Sequence, residues 1–299
     1  MDVSIIIVNY NTSHLIKNCI DSIIKLTEII EYEIIVVDNA TEPDLEEKLL
    51  FSDKVKVVKL DRNLGFGLAN NEGFKYATGK YVLCLNPDTL LINNAIWTLF
   101  NSLESNSQIG ICGGNLYDEL NKPALSFKRM LPGILNELNE LFFEIPQRVL
   151  TKNRYFNYSE KIINVGYISG ADLMIRYDVF KKMNGFSSSF FMYYEETDLC
   201  ARVMRDGYGI ISVPQAKIQH LEGKSFNTSI KYNQLRFTQQ SRHKYLCRNV
   251  SFLEKVLCDI VYSISCLINI LISSVKGKVQ FCSSILKLIY FLKYIQYSI

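Results

Sequence analysis

The stretch FFMYYEETDLC, residues 190–200, places three carboxylates directly after five large apolar or aromatic side chains. Glu195, Glu196 and Asp198 fall where a helix with an apolar face is predicted to begin, and the helix dipole favours acids in a first turn. Aromatic neighbours also desolvate a carboxylate, which raises its pKa and suits it to accept a proton. The stretch therefore indicates either an acidic helix start or a general base beside a sugar-stacking surface.

A further acid, Asp88, follows a predicted buried strand in the motif LNPDT (85–89). Hard oxygen ligands bind Mg²⁺ or Mn²⁺, and these ions usually also bind substrate phosphates. His220 ends an apolar alternation, and an imidazole beside carboxylates suits Mn²⁺ better than Mg²⁺. Each residue also has an ordinary alternative: Asp88 could cap a helix beginning near residue 90, and a lone histidine more often has a structural role.

Polar residues stand at the ends of several predicted strands. Asn9 and Tyr10 follow the first strand, Asp38 and Asn39 follow the second, and Asn86 follows the fourth. In open α/β sheets, ligands bind beyond the carboxyl ends of the strands. The pattern therefore predicts a ligand site at that edge of the sheet.

The segment NLGFGLANNEG (63–73) is rich in glycine, which permits close approach of the backbone to a ligand. Its spacing is not the dinucleotide-binding fingerprint, and a loop followed by a helix N-terminus is the alternative. Gly65, Gly67 and Gly73 are the glycines of this segment that suggest such a close approach.

Apolar periodicity identifies the elements that position these residues. Short β-branched runs predict strands buried on both faces, and apolar residues at helical spacing predict helices between them. Their alternation over about the first 115 residues favours an α/β fold with a mostly parallel central sheet and helices on both faces. The predicted strands are 3–10, 33–39, 54–60, 81–86 and 109–115, the predicted helices are 15–24, 43–51, 66–77 and 92–104, and short helices are expected around 133–150.

The chain has 299 residues, 48% of them hydrophobic, which is enough for one large domain or two modest ones. Its net charge of +3 hides an asymmetry, because residues 1–230 carry 23 Lys+Arg against 28 Asp+Glu (−5) and residues 231–299 carry 10 against 2 (+8). We predict a domain over residues 1–229 and a basic, apolar helical tail over residues 230–299. Eight cysteines without CxxC spacing favour reduced thiols and a cytoplasmic location.

The tail contains two apolar runs, 260–275 and 281–292, and the second is interrupted by Lys287. A spanning helix needs about 20 apolar residues, so each run is somewhat short. Basic, apolar segments favour anionic membrane surfaces. Association in the plane of a membrane, a true span, and burial as a core or dimer helix all remain open.

Taken together and in order, the motifs resemble those of inverting family-2 glycosyltransferases, and especially the rhamnosyltransferase-like branch. The resemblance covers about residues 3–225, and the tail lacks comparable motifs. Each motif is modest alone, whereas eight in order are specific. They are VSIIIVNYN (3–11), VVDNAT (36–41), NLGFGLANNEG (63–73), YVLCLNPDT (81–89), ISGADLMIRYDVF (168–180), NGF (184–186), FFMYYEETDLCARVMRDGY (190–208) and HLEGKS (220–225).

The resemblance implies a GT-A nucleotide-diphospho-sugar transferase fold, with a nucleotide-binding half at about 1–115 and an acceptor half at about 160–229. Asp38 matches the acid that contacts the base and ribose. The DxD metal motif is Asn86-Pro87-Asp88 here, so only Asp88 keeps the acid, and His220 matches a histidine that can complete a Mn²⁺ or Mg²⁺ site. The implied nucleotide-sugar contacts are Asn9, Tyr10, Asp38, Asn39, Gly65, Gly67, Asn70 and Asn86.

The paired acids Glu195 and Glu196 match a family motif whose second member is the catalytic base. The resemblance therefore implies that role for Glu196. Glu stands here in place of the usual Asp, which moves the carboxylate outward by one methylene. Three alternatives follow: Glu196 is the base with local adjustment, Glu195 or Asp198 serves instead, or the protein is catalytically impaired.

The resemblance thus predicts inverting transfer from dTDP-rhamnose or a UDP-hexose to a glycan or lipid-linked acceptor in bacterial surface polysaccharide synthesis. We expect a cytoplasmic enzyme attached to the inner face of the membrane through residues 250–299, without a nucleic-acid partner, and homo-oligomerisation is left open. The alternative is a catalytically weak, membrane-associated glycan-binding or scaffold protein on the same fold. A sugar nucleotidyltransferase is disfavoured because VSIIIVNYN (3–11) is not a glycine- and lysine-rich phosphate loop.

Overall fold

The computed structural model describes residues 1–41, 52–151, 153–221, 228–276 and 278–295. The strands are β1 Val3–Asn9, β2 Tyr32–Asp38, β3 Val55–Lys59, β4 Tyr81–Leu85, β5 Thr89–Leu91, β6 Ile109–Tyr117, β7 Phe127–Lys128, β8 Ile163–Asn164, β9 Tyr167–Ile168, β10 Asp172–Arg176 and β11 Gly209–His220. The helices are α1 Ser13–Leu26, α2 Phe66–Phe74, α3 Ala95–Glu104, α4 Ile134–Leu141, α5 Ile145–Leu150, α6 Tyr177–Lys182, α7 Glu195–Arg205, α8 Thr228–Asn249, α9 Phe252–Lys276 and α10 Lys278–Ile295.

The first strand shows why the central sheet is covered on both sides. Every residue of β1 is buried, and successive side chains point to opposite faces of a strand. Ile5 and Ile7 join one hydrophobic cluster with α1 and α3, whereas Ile6 joins a second cluster with α2, α6 and α7. Helices therefore pack on both faces, and the predicted α/β fold class is confirmed.

Within the described residues, the main sheet has the strand order β3-β2-β1-β4-β10-β6-β11-β5, with β8 added alongside β11. The ladders from β3 to β4 are all parallel, as predicted for the first half of the chain. β10 then runs antiparallel to both β4 and β6, while β11 is parallel to β6. The sheet is therefore mixed, and its four neighbouring parallel strands β3-β2-β1-β4 lie in the predicted nucleotide-binding half.

Two predicted helices are shorter than their apolar pattern indicates, and a third, at 43–51, lies outside the described residues. α2 ends at Phe74 rather than at residue 77. α3 begins at Ala95 because the residues before it, 89–91, form β5 and pair with β11.

The chain divides into two compact units, and the second is larger than the predicted tail. The first unit comprises residues 1–129, 153–188 and 195–225, and the second comprises 130–152, 189–194 and 226–299. Residues 130–152, which include the short helices expected around 133–150, therefore group with the helices that follow residue 229.

Buried ion pairs account for this grouping. In the second unit, Arg242 of α8 donates to Glu137 of α4 at 2.7 Å and to Asp259 of α9 at 3.0 Å. Lys255 completes the group with a 3.0 Å bond to Asp259. All four side chains are nearly inaccessible to solvent, so α4 is tied to the tail by charges that would be costly to leave unpaired.

Candidate active site

Asp88 and His220 lie side by side, although they are distant in sequence. Antiparallel pairing of β5 with the end of β11 sets Thr89 opposite His220, and the amide of Leu221 donates to Asp88 O at 2.9 Å. As a result, Asp88 Oδ1 is 3.2 Å from His220 Nε2. Asn86 Nδ2 is also 3.3 Å from the same imidazole nitrogen.

This geometry fits a divalent ion. Two neighbouring ligands of an octahedral Mg²⁺, each at about 2.1 Å, stand about 3 Å apart, close to the observed 3.2 Å separation of Asp88 Oδ1 and His220 Nε2. Groups of three His, Cys, Asp or Glu side chains do not occur at a metal-binding distance among the described residues. Substrate phosphates commonly supply further ligands to such ions, so a two-residue site suits an ion that arrives with a phosphate ligand.

Asp88 does not cap a helix, because α3 begins at Ala95. The turn containing Asp88 is closed instead by Thr89, whose hydroxyl donates to Asn86 O at 2.7 Å. The helix-capping alternative for Asp88 is therefore wrong, and its carboxylate is positioned beside His220 by the β5–β11 ladder.

The ends of β1 and β2 form a second polar cluster. Asn9 and Asp38 are register partners on neighbouring parallel strands. Asp38 Oδ1 accepts from the amide of Thr41 at 3.0 Å, and Asn9 Nδ2 donates to the Thr41 hydroxyl at 3.0 Å. Tyr10 follows at the edge with 48% of its surface exposed. Asn9 and Asp38 are thereby held in fixed orientations, and their contact with a nucleotide stays a prediction.

Asn39 connects this cluster to the glycine-rich segment. Its side chain donates to Asn63 Oδ1 at 2.9 Å and accepts from the amide of Leu64 at 2.8 Å. Asn63 Oδ1 also accepts from the amide of Gly65 at 2.8 Å. Gly65 has φ 82°, a left-handed conformation that favours glycine, and it directly precedes α2. Asn63 is not among the predicted site residues, although it is the first residue of NLGFGLANNEG (63–73).

Gly67 and Asn70 are buried in α2 and have clear packing roles. A Cβ at Gly67 would lie 2.9 Å from Phe186 Cβ and 3.3 Å from Glu195 Cβ, so glycine permits α2 to approach the acidic helix. Asn70 is fully buried and donates to Phe66 O at 3.0 Å. Their contact with a nucleotide-sugar stays a prediction. The full burial of the Asn70 side chain favours the packing role over direct contact with a ligand.

The acids of the opening stretch begin α7, and all three lie in its first turn, as predicted. Burial raises the pKa of Glu196, although hydrogen bonds including one from Thr197 Oγ1 at 3.1 Å lower it in part. Glu195 is 4% exposed, whereas Glu196 is only partly buried. A partly accessible carboxyl with a raised pKa is the more suitable proton acceptor of the two.

Asp198 has a different environment. Its carboxylate is 1% exposed and accepts from Arg202 Nε at 2.7 Å, one helical turn later. The same guanidinium donates to Met183 O at 2.7 Å and Gly185 O at 2.9 Å. Asp198 thus anchors α7 to the NGF turn, which favours a structural role for it over the predicted alternative as base.

Backbone strain immediately precedes the acids. Tyr193 and Tyr194 both have φ 67°, a left-handed conformation that is uncommon for bulky side chains. The residues before them are held by α8, because Ser241 Oγ donates to Met192 O at 2.8 Å and Lys244 Nζ donates to Ser189 O at 2.7 Å. Strained residues of this kind cluster at functional sites.

The segment just before β10 contacts both the start of α7 and the turn that carries Asp88. The amide of Asn86 donates to Ala171 O at 3.0 Å. A Cβ at the adjacent Gly170 would lie 3.3 Å from the ring of Phe66 and 3.9 Å from Glu196 Cβ. The candidate base, the turn that carries Asp88 and the start of α2 therefore converge on two consecutive residues.

Asp172, which begins β10, is a buried carboxyl that the sequence analysis assigned no role. It is fully buried, and its Oδ2 accepts from the amide of Gly114 at 2.6 Å. Its Oδ1 has no hydrogen-bond partner within the described part of the chain. Burial raises the pKa of this carboxyl well above its usual range.

The chain is similar in sequence to known glycosyltransferases. Residues 4–183 match the sequence model of the family described as glycosyl transferase family 2. The low-salt glycan biosynthesis hexosyltransferase Agl10 of Haloferax volcanii is 28% identical over 70% of this chain, which spans 64% of that protein. Rhamnosyltransferase WbbL of Escherichia coli K12 is 26% identical over 82% of this chain and 93% of its own length.

Solved structures share the fold at low sequence identity. The mannosyltransferase PcManGT of Pyrobaculum calidifontis, crystallised with GDP-Man and Mn²⁺, has a TM-score of 0.62 and 13% identity over 98% of this chain and 86% of its own. GalNAc-T7, crystallised with UDP, GalNAc and Mn²⁺, has a TM-score of 0.57 and 18% identity over 79% of this chain and 47% of its own. Both are GT-A transferases, which agrees with the mixed α/β sheet.

Proposed function

Since the chain belongs to glycosyl transferase family 2 and is a glycosyltransferase, we propose that it transfers one sugar from a nucleotide-diphospho-sugar with inversion at the anomeric carbon. The observation that carries the proposal is the convergence of Asn86, Ala171, Gly170 and Glu196 at one edge of the sheet. It sets a candidate base beside a turn suited to hold a metal and a diphosphate.

The donor we propose is dTDP-rhamnose or a UDP-hexose. A rhamnosyltransferase and a hexosyltransferase are among the similar proteins, and the structural neighbours were crystallised with UDP or GDP-Man. In this proposal the nucleotide contacts Asp38 and Asn39 at the ends of the parallel strands, where open α/β sheets bind ligands.

Asp88 and His220 would hold the divalent ion, Mn²⁺ or Mg²⁺. When bound, such an ion supplies positive charge against the negative charge that develops on a departing diphosphate. Asn86 would orient these two ligands. Its backbone amide fixes the turn against Ala171, and its side-chain amide contacts His220.

Glu196 takes the proton from the attacking acceptor hydroxyl. The acceptor oxygen bonds to the anomeric carbon as the bond from that carbon to the diphosphate breaks on the opposite face. One displacement therefore inverts the centre without a nucleophile from the enzyme. Burial raises the pKa of Glu196, which makes its carboxylate a better proton acceptor.

We further propose a glycan or lipid-linked saccharide acceptor used in bacterial surface polysaccharide synthesis, with the enzyme at the cytoplasmic face of the membrane. One similar protein is a glucosyltransferase whose name specifies a diphosphoundecaprenol-linked acceptor. The apolar, basic tail supports this location, because it would hold the active site near such an acceptor.

The donor half of the proposal is tested by thermal shift with UDP-, dTDP- and GDP-sugars in the presence of Mn²⁺ or Mg²⁺. A ligand at 100 times its Kd stabilises the folded state by about 2.7 kcal/mol, so one donor class should raise Tm clearly. Asp88→Asn should abolish the metal-dependent part of the shift. Stabilisation by none of the donors would contradict the proposal.

The base is tested by transfer assays with Glu196→Gln, with Glu195→Gln as the matched control on the same helical turn. Loss of a general base costs about 10²–10⁴-fold, so Glu196→Gln should lower kcat by that factor while donor binding is kept. A larger loss in Glu195→Gln would assign the proton transfer to Glu195. Donor and glycan binding without turnover in the unmodified protein would favour the glycan-binding scaffold.

A further inference from the structure

An exposed row of apolar side chains runs the length of α9. Its members recur at alternating intervals of four and three residues and are between 43% and 71% exposed. This spacing keeps them on one side of a helix. The apolar row consists of Leu253, Leu257, Ile260, Ile264, Leu267 and Leu271.

The opposite side of α9 is buried in the second unit and is polar. Lys255 and Asp259 belong to the ion-pair group with Arg242 and Glu137. One turn later, Tyr262 donates to Gln239 of α8 at 2.9 Å. α9 is therefore an amphipathic helix whose polar side is committed to protein contacts, which leaves the apolar row for another partner.

α9 is long enough to cross a membrane by length and composition alone. Within residues 252–274, the most apolar 18-residue stretch has a mean hydropathy of 2.0, yet only 28% of it is buried. A membrane span by α9 is disfavoured at Tyr262, which lies inside the uncharged run 260–275. The Arg242 guanidinium lies 4.1 Å from its ring centroid and Lys287 Nζ lies 5.1 Å from it.

A spanning α9 would therefore carry two cations from α8 and α10 into the hydrocarbon layer. Charged side chains at that depth are costly and are found mostly where they face a protein interior or a water-filled cavity. A helix lying in the interface needs no such transfer, because only its apolar side enters the acyl chains.

Charge identifies the partner surface as anionic. Residues 231–299 carry 10 Lys+Arg against 2 Asp+Glu, a net of +8. Arg236, Arg248 and Lys293 are exposed on the same unit. A second helix of this unit, α4, also exposes apolar side chains, at Leu135 and Leu138. Anionic lipid attracts basic segments of this kind, and apolar side chains add affinity by burial.

We infer that α9 lies in the plane of an anionic leaflet, with the apolar row in the acyl-chain boundary, and does not span the bilayer. This inference rests on the proposed membrane location, but it concerns only how the chain contacts lipid. It predicts that lipid binding and nucleotide-sugar binding can be lost separately.

The first test is co-flotation of the full chain with phosphatidylcholine vesicles, with and without phosphatidylglycerol. We expect binding chiefly to the anionic vesicles and weaker binding at high salt. Leu267→Glu with Leu271→Glu should lower the bound fraction at least about tenfold, because binding scales with buried apolar area. Asn269→Glu, an exposed polar position between them, controls for added charge and should change binding less than about twofold.

Donor-induced thermal shifts of the same variants separate the two claims. Donor shifts that are kept while flotation is lost support the inference. Absence of a donor shift in the unmodified chain and in every variant would count against the proposed function and not against lipid contact. Equal flotation of the unmodified chain with both vesicle types, or unchanged flotation of the double variant, would overturn the inference. A dimer that becomes monomeric in the double variant while flotation persists would assign the apolar row to a second copy.

The second test distinguishes the in-plane helix from a span. Cys247 and Cys282 lie before and after α9 and are exposed, whereas the other six thiols are buried. A membrane-impermeant maleimide added outside the vesicles should label both thiols if α9 lies in the plane. Labelling of Cys247 alone, with Cys282 protected until the vesicles are permeabilised, would show a span and overturn the inference.

Discussion

The Asp198–Arg202 pair provides a direct test of which acids in α7 are structural. Arg202→Met removes the guanidinium that donates to Asp198 Oδ2 and to the carbonyls of Met183 and Gly185. Asp198 is 1% exposed, so its carboxylate would lose the Arg202 guanidinium while remaining inside the protein. We expect a large loss in the free energy of unfolding, although the candidate base Glu196 is still present.

The magnitude follows from the burial of the two partners. Breaking a buried ion pair by removing one partner costs about 3–5 kcal/mol. The Arg202 side chain keeps 16% of its exposure, which allows some water to reach the site, so we expect a value near the lower limit, about 3 kcal/mol. Asp198→Asn keeps an acceptor for the guanidinium and should cost about 1–2 kcal/mol.

Urea unfolding of the two single variants and the double variant forms a cycle. Because the double variant keeps neither charge of this pair, we expect its loss of stability to be smaller than the sum of the single losses by at least about 1 kcal/mol. Transfer activity per folded molecule should fall less than about tenfold in Asp198→Asn, far less than the loss of a general base would cause. A native-like free energy of unfolding with an activity loss of about 10²-fold or more in Asp198→Asn would refute the structural role and make Asp198 the base.

Three further predictions test other parts of the site. Gly67→Ala would push a Cβ against Phe186 and Glu195. The free energy of unfolding, measured with urea, should therefore fall by about 1–3 kcal/mol. An unchanged value would show that the neighbouring side chains relax freely around the added methyl group. Because burial raises the pKa of Glu196, kcat/KM should rise with pH through a value above the ordinary Glu range, and this limb should disappear in Glu196→Gln; a limb kept by that variant would belong to another group. The folded-state pKa of Asp172 is raised above its unfolded value, so its contribution to stability is full at acid pH and is lost as pH rises toward the folded value. Asp172→Asn should therefore raise Tm relative to the unmodified protein more at mildly alkaline than at mildly acidic pH, and a pH-independent difference would contradict this.

Some features of the site follow from sequence because they depend on local order. The first-turn position of the acids was predictable from the apolar spacing after them, and Arg202, four residues after Asp198, stands where a helix brings side chains together. The parallel strands were predictable because β-branched runs such as that of β1 are buried along their whole length. These inferences need only the period of a helix or a strand.

Other features depend on contacts between distant segments. The contact of Asp88 with His220 requires β5 to pair with the last residues of β11, and LNPDT gives no sign of that short strand. The grouping of α4 with the tail depends on the contact between Glu137 and Arg242, which are far apart in the sequence. Polarity along one segment cannot reveal a buried partner more than a hundred residues away.

The antiparallel strand β10 explains how one edge of the sheet gathers both halves of the site. An antiparallel strand begins at the edge where its neighbour ends, so Asp172 pairs with Leu85, the last residue of β4. Gly170 and Ala171, just before β10, therefore necessarily lie at the carboxyl edge, beside Asn86 and Glu196. The deviation from a wholly parallel sheet thus puts Gly170 and Ala171, which neighbour the candidate base on α7, at the strand ends that carry the candidate metal turn.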